Sequence, residues 1–217
     1  MKVELIHNTP LWVASKAIRK CWASEDKSDT VINCWEDDCG AIHDYSITIG
    51  EKDKALIDRV GNKNKHKSTL EHLVYTFDID GISRACLQEV ARHRMASYSV
   101  KSTRYTLKEL KDEDSISENK YNYIIKTMNE DINRNNMSSL FALQNVLQNG
   151  TSNDIAKYML PEAYKTSLVM TINARSLQNF LELRTDKSAL WEIRDLANAM
   201  YQELPDEHKY LFKDFML

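Results

Sequence analysis

The chain has 217 residues, 42% of them hydrophobic and 28% charged, with a formal net charge of −3. That length supplies a full hydrophobic core within one domain, and the near-neutral balance excludes a chain-wide electrostatic grip on nucleic acid. No apolar run approaches the roughly 20 residues that cross a bilayer, and the opening "MKVELIHNTP" lacks the apolar stretch of a secretory leader, so a soluble cytoplasmic protein is expected.

"MKVELIH" alternates apolar and polar residues and predicts an opening strand. Pro10 suits the start of a helix through "PLWVASKAIRKCW", with Leu11, Ala14, Ala17, Ile18 and Cys21 on one face. Residues 24–52 show no clear period. Lys54–Arg59 reads as helical, and Gly61 with "NKNKHK" as a polar break. Ser68 and Glu71 have capping-box spacing, which predicts a helical turn there. "VYTFDID" is then a strand ended by Gly81. A helix is expected from Ile82 to about Met95, with Ile82, Cys86, Leu87, Val90 and Ala91 as its buried stripe.

Leu107 to Gln148 reads as helical, interrupted by the acidic "DEDSISENK". Ser152 or Asn153 is the next N-cap. "TSLVMTIN" (Thr166–Asn173) is the best strand in the chain. Helices follow in "ARSLQNFLELR" and "LWEIRDLANAMYQEL". In the second, Leu190, Ile193, Ala197, Met200 and Leu204 step by three and four and are core. Interleaved strands and helices give an α/β (α+β) class. Without repeats or linkers, residues 1–217 form a single domain.

Several chemistries are excluded. The five glycines, at 40, 50, 61, 81 and 150, include no pair two apart, so neither a dinucleotide-binding glycine turn nor a P-loop is present. Neither H-E-x-x-H nor G-x-S-x-G occurs. The four cysteines, Cys21, Cys34, Cys39 and Cys86, are too few for a disulfide scaffold. Cys34-x4-Cys39 has no answering Cys/His pair, so no metal site is expected and the thiols are read as structural.

What remains is a concentration of cations. "RHRMASYSVKSTRY" (Arg92–Tyr105) contains four Arg or Lys, four Ser or Thr and no carboxylate. Guanidinium forks and hydroxyls together make a cradle for phosphate. On a helix Arg92 and Arg94 would point to opposite sides, whereas in extended chain Ser102 and Arg104 share a side. The plainer alternative is a solvated surface with Arg92 paired to Glu89. A nucleotide- or RNA-binding module without redox chemistry, using these cations and stacking on Tyr98 and Tyr105, is a further alternative.

The order of identities favours a more specific reading. Arg92, His93, Arg94, Ser97, Ser102, Arg104 and Tyr105 follow a spacing that resembles the signature of flavin-dependent thymidylate synthases. "HKSTLEH" (His66–His72) is similar to that family's flavin-binding segment. "LPEAYKTSLVMTINARSLQNFLELR" (Leu160–Arg184) is similar to its C-terminal block. The likeness runs from about residue 60 to 205. It departs at Ser99 and Val100, where the family usually has Asn-Glu, at Glu89, often Gln, and at Lys157, commonly Arg.

The resemblance implies a homotetramer with a mixed or antiparallel sheet flanked by helices. It implies reductive methylation of dUMP to dTMP, with FAD as cofactor and methylenetetrahydrofolate and NADPH as co-substrates. Carried over by position, His66, Ser68, Glu71, Arg92, His93, Arg94, Asn173, Ala174, Arg175 and Asn179 would meet FAD. Glu89, Arg92, Val100, Lys101, Ser102, Thr103, Arg104, Lys157 and Arg184 would meet dUMP. The chemistry is consistent with this set. Making uracil C5 nucleophilic takes either attack of an enzyme nucleophile on C6 or stabilisation of charge on the ring by a placed cation. No Cys here follows a Pro, as the nucleophile does in the thiol-dependent synthases, and Ser102 has no evident base beyond His93. Arg184 is therefore the expected catalytic group and Ser102 a binding group.

Overall fold

The computed structural model describes residues 1–36 and 42–217. Its centre is an antiparallel four-stranded sheet in the order β1 (Lys2–Asn8), β4 (Val74–Ser83), β6 (Lys165–Asn173), β5 (Ala96–Val100). A separate two-stranded ribbon is formed by β2 (Val31–Glu36) and β3 (Ile42–Thr48). The helices are α1 (Trp12–Cys21), α2 (Glu51–Ile57), α3 (Arg84–Val90), α4 (Thr103–Lys111), α5 (Ile116–Tyr123), α6 (Glu130–Gln148), α7 (Asn153–Ala156), α8 (Ala174–Arg184), α9 (Trp191–Glu203) and α10 (Asp206–Lys209). No helix among the described residues is long and apolar enough to span a membrane.

Period-two patterning sets which face of the sheet is covered. Tyr75, Phe77 and Ile79 of β4 and Leu168, Met170 and Ile172 of β6 turn inward. They meet Leu177, Phe180 and Leu181 of α8 and Ile193, Leu196, Ala197 and Met200 of α9 in one core. The stretch between β5 and β6 makes a smaller core of its own, from Leu107, Leu110, Ile116, Leu140, Leu143 and Leu147 closed by Tyr164.

Several expectations are corrected. The helix expected to Met95 stops at Val90, because the Tyr98 hydroxyl reaches back to the carbonyls of Val90 (3.0 Å) and His93 (2.6 Å). Ala91 is consequently exposed. Strand β4 runs through Gly81, which sits at φ +75° in a register shift against β6, instead of ending there. The turn at Ser68 is a 3-10 turn over Lys67–His72, preceded by His66, and no side chain caps it. Cys21 is exposed, as is Leu190 at the head of α9. Ser102 and Arg104 do not share an extended segment, for Thr103 opens α4 and puts Arg104 in its first turn. Cys39, and with it the Cys34–Cys39 spacing, lies outside the described residues.

Candidate active site

The β6–α8 junction, the turn after α3 and the Lys67–His72 turn converge on an open cavity of about 920 Å³. Asn173 ends β6 and its side chain accepts from the Ser176 amide, so the helix starts on its own cap. From that start Arg175, Ser176, Asn179, Glu182 and Leu183 line the cavity at the spacing of one helix face. Leu177, Phe180 and Leu181 hold the opposite face in the core. Arg92, His93, Arg94 and Met95 come from the turn after α3, and Lys67 and Glu71 from the 3-10 turn. Because the chain is not helical at 92–94, Arg92 and Arg94 reach the same cavity instead of opposite sides.

Charge is arranged unevenly. Lys67, Arg92, Arg94, Arg175 and Arg184 face two carboxylates, Glu71 and Glu182. Arg175 Nη1 donates to Glu71 Oε1 at 2.6 Å, tying α8 to the 3-10 turn. Arg184, the last residue of α8, is well enclosed, its side chain 14% exposed against 73% for Arg92 and 53% for Arg175. Its Nε donates to His93 Nε2 (2.9 Å), Nη1 to Glu89 Oε2 (2.7 Å) and Nη2 to the Glu89 carbonyl (3.0 Å). Arg92 lies 3.9 Å from the other Glu89 oxygen, the pairing expected of a solvated surface. The His93 ring is buried edge-on against Phe180, centroids 4.7 Å apart. Burial, followed by the neighbouring Arg184 charge, holds the His93 imidazole down to about 4.

Of the residues expected at FAD, Glu71, Arg92, His93, Arg94, Asn173, Arg175 and Asn179 line this cavity. Ala174 is buried beneath it, its amide donating to the Leu73 carbonyl. His66, just before the 3-10 turn, and Ser68, within it, are exposed. The residues expected at dUMP are scattered within one chain. Arg92 and Arg184 share the cavity, with Glu89 engaged behind Arg184. Lys101 and Thr103 line a second hollow of about 380 Å³, beside Tyr164 and Lys165. Val100 is exposed on the edge strand. Arg104 Nε pairs with Asp154 at 2.9 Å, and Lys157 follows directly on the short helix α7 that carries Asp154.

Lys67, Met95, Ser176, Glu182 and Leu183 also line the cavity and were not singled out from the sequence. The helical period starting at Arg175 carries the last three. The buried Cys86 has its thiol pushed up by burial, which disfavours a thiolate nucleophile.

The profile of the family described as Thymidylate synthase complementing protein matches residues 4–208. A flavin-dependent thymidylate synthase of Campylobacter jejuni is 56% identical over 217 residues, covering 98% of this chain and 96% of its own. One from Helicobacter pylori is 47% identical, covering 99% and 98%. The crystal structure of thymidylate synthase X from Helicobacter pylori with FAD and dUMP superposes with a TM-score of 0.86 at 46% identity, covering 100% of this chain and 99% of that one. The chain belongs to the flavin-dependent thymidylate synthase family.

Proposed function

We propose that the protein methylates dUMP to dTMP, with methylenetetrahydrofolate giving the carbon, NADPH the reducing equivalents and FAD as cofactor. The observation that carries this reading is the single cavity shared by Arg92, His93, Arg94, Asn173, Arg175, Asn179 and Arg184. Its donors suit FAD: guanidiniums for a pyrophosphate, the Asn179 amide and Ser176 hydroxyl for neutral edges. When bound, FAD supplies the redox and one-carbon transfer chemistry. Arg92, Arg94 and Arg175 hold anionic oxygens, and Arg184 stabilises negative charge as it develops on the uracil ring. Ser102, Arg104 and Lys157 take the nucleotide phosphate.

Ser102 and Arg104 are exposed and Lys157 is half-buried, all three away from that cavity in the same chain, which supports a site completed by residues of another copy. A homotetramer working in the cytoplasm, each chain a single domain, is the assembly we infer. An RNA-binding role is disfavoured because Arg92 and Arg94 line a concave cavity while Lys101 and Arg104 are paired to Glu109 and Asp154 away from it, so these cations form no continuous stripe. The test is optical. Purified protein loaded with FAD is yellow, and NADPH bleaches it faster when dUMP is present. A protein that takes up no flavin on soaking would refute the reading.

A further inference from the structure

Arg184 is more constrained than an ion pair requires. Three of its five N–H bonds are committed, on its Nε, Nη1 and Nη2 atoms, to three different acceptors from two residues. One acceptor is a ring nitrogen, which can receive a bond only through its lone pair. His93 is therefore neutral with its proton on Nδ1, a tautomer assigned from the geometry. The ring is buried and packs edge-on against Phe180, and the Tyr98 hydroxyl pins the His93 carbonyl. Glu89 contributes both its carboxylate and its backbone carbonyl, fixing the guanidinium plane at two points.

We propose that His93 and Glu89 are positioning residues that clamp the Arg184 guanidinium in one orientation, so that its uncommitted N–H groups meet the nucleotide base without rearrangement. This rests on the proposed role of Arg184 and deepens it: each residue acts through Arg184, whatever contact it makes of its own. Pre-organisation of this kind is valuable because a group misplaced by about 1 Å can lose roughly 100-fold in rate.

The first test needs no substrate. In ¹⁵N-labelled protein the Arg184 Nε–H resonance, identified by its disappearance in Arg184→Lys, is slow to exchange. It survives in His93→Gln, whose carbonyl oxygen can accept the same bond, and is lost in His93→Phe, which keeps the packing on Phe180 without an acceptor. Glu89→Gln, whose amide oxygen can accept from Nη1, and Glu89→Leu, which cannot, give the same contrast on the Arg184 Nη1–H resonance by an independent route if His93→Phe does not fold. The second test is kinetic. His93→Phe lowers kcat roughly 10- to 100-fold with KM for dUMP moved far less, and His93→Gln restores most of the loss. An unchanged Arg184 resonance in both His93→Phe and Glu89→Leu, or a kcat within about twofold of wild type in those variants, overturns the clamp. A wild-type protein that converts no dUMP refutes the proposed function, while the resonance still decides the clamp, so the two failures are distinguishable.

Discussion

Arg184 closes α8, a place where Arg is favoured by the helix dipole alone, and only its surroundings separate function from that background. Its truncation to Ala should lower kcat about 100- to 1,000-fold, the scale of losing one donor to developing charge, with the flavin still bound. Steady-state rates and the yellow absorbance check the two halves. A second residue-scale prediction concerns acid. His93 and His208 are both buried, and burial holds each down to about 4. His208 accepts or donates one bond with the Tyr75 hydroxyl at 2.8 Å, while its Nε2 has no hydrogen-bond partner among the described residues. Unfolded imidazoles titrate near 6.5, so between about 6.5 and 4 the unfolded chain binds protons that the folded chain refuses. Their contribution to stability is complete above 6.5 and is lost as pH falls toward 4. Melting temperatures at pH 7.5, 6 and 5 should descend through that window and be nearly level above it.

Elements were legible where burial follows a period. Strands β1 and β6 and helices α8 and α9 all have one covered face, and their patterns announced them. The β2–β3 ribbon escaped notice because Val31 and Ile32, adjacent and hence on opposite faces, are both exposed, so no alternation survives. The early end of α3 was hidden because Tyr98, eight residues beyond Val90, supplies the competing hydrogen bond. Gly81 is punctuation misread as a stop. At φ +75° with no atom nearer than 3.8 Å to an added Cβ, it has space but a costly backbone. Gly81→Ala should therefore cost about 1–2 kcal/mol, measured by urea unfolding. Near α1 and α2 a buried ion pair does similar work. Asp53 accepts from Arg19 Nε, Ser28 and Thr30, each at 2.6 Å. Burial pushes its carboxyl up, but those three donors and the Arg19 charge outweigh it, leaving it below the usual range. Asp53→Leu strands the buried Arg19 and should cost about 3–5 kcal/mol. The Arg19→Leu/Asp53→Leu double variant should recover part of that.

At the scale of the molecule, the sequence assigned residues to ligands but could not say which of them a single chain brings together. The cavity set was legible because the RHR turn and the face of α8 are local patterns. The phosphate set was legible only as a list, since Ser102, Arg104 and Lys157 lie away from the cavity within one chain and share a target only in the proposed assembly. This predicts complementation. Arg104→Ala and Arg184→Ala proteins, each inactive alone, should recover roughly a quarter of wild-type activity when co-expressed, the share of sites left intact by random mixing of symmetric copies. A site wholly within one chain would stay dead. The most direct measurement of the central claim is tritium release from [5-³H]dUMP in the presence of FAD, NADPH and methylenetetrahydrofolate. The account predicts release that requires all three and falls at least about 100-fold in Arg184→Ala. Absence of release with every component present, or undiminished release without flavin, would contradict it.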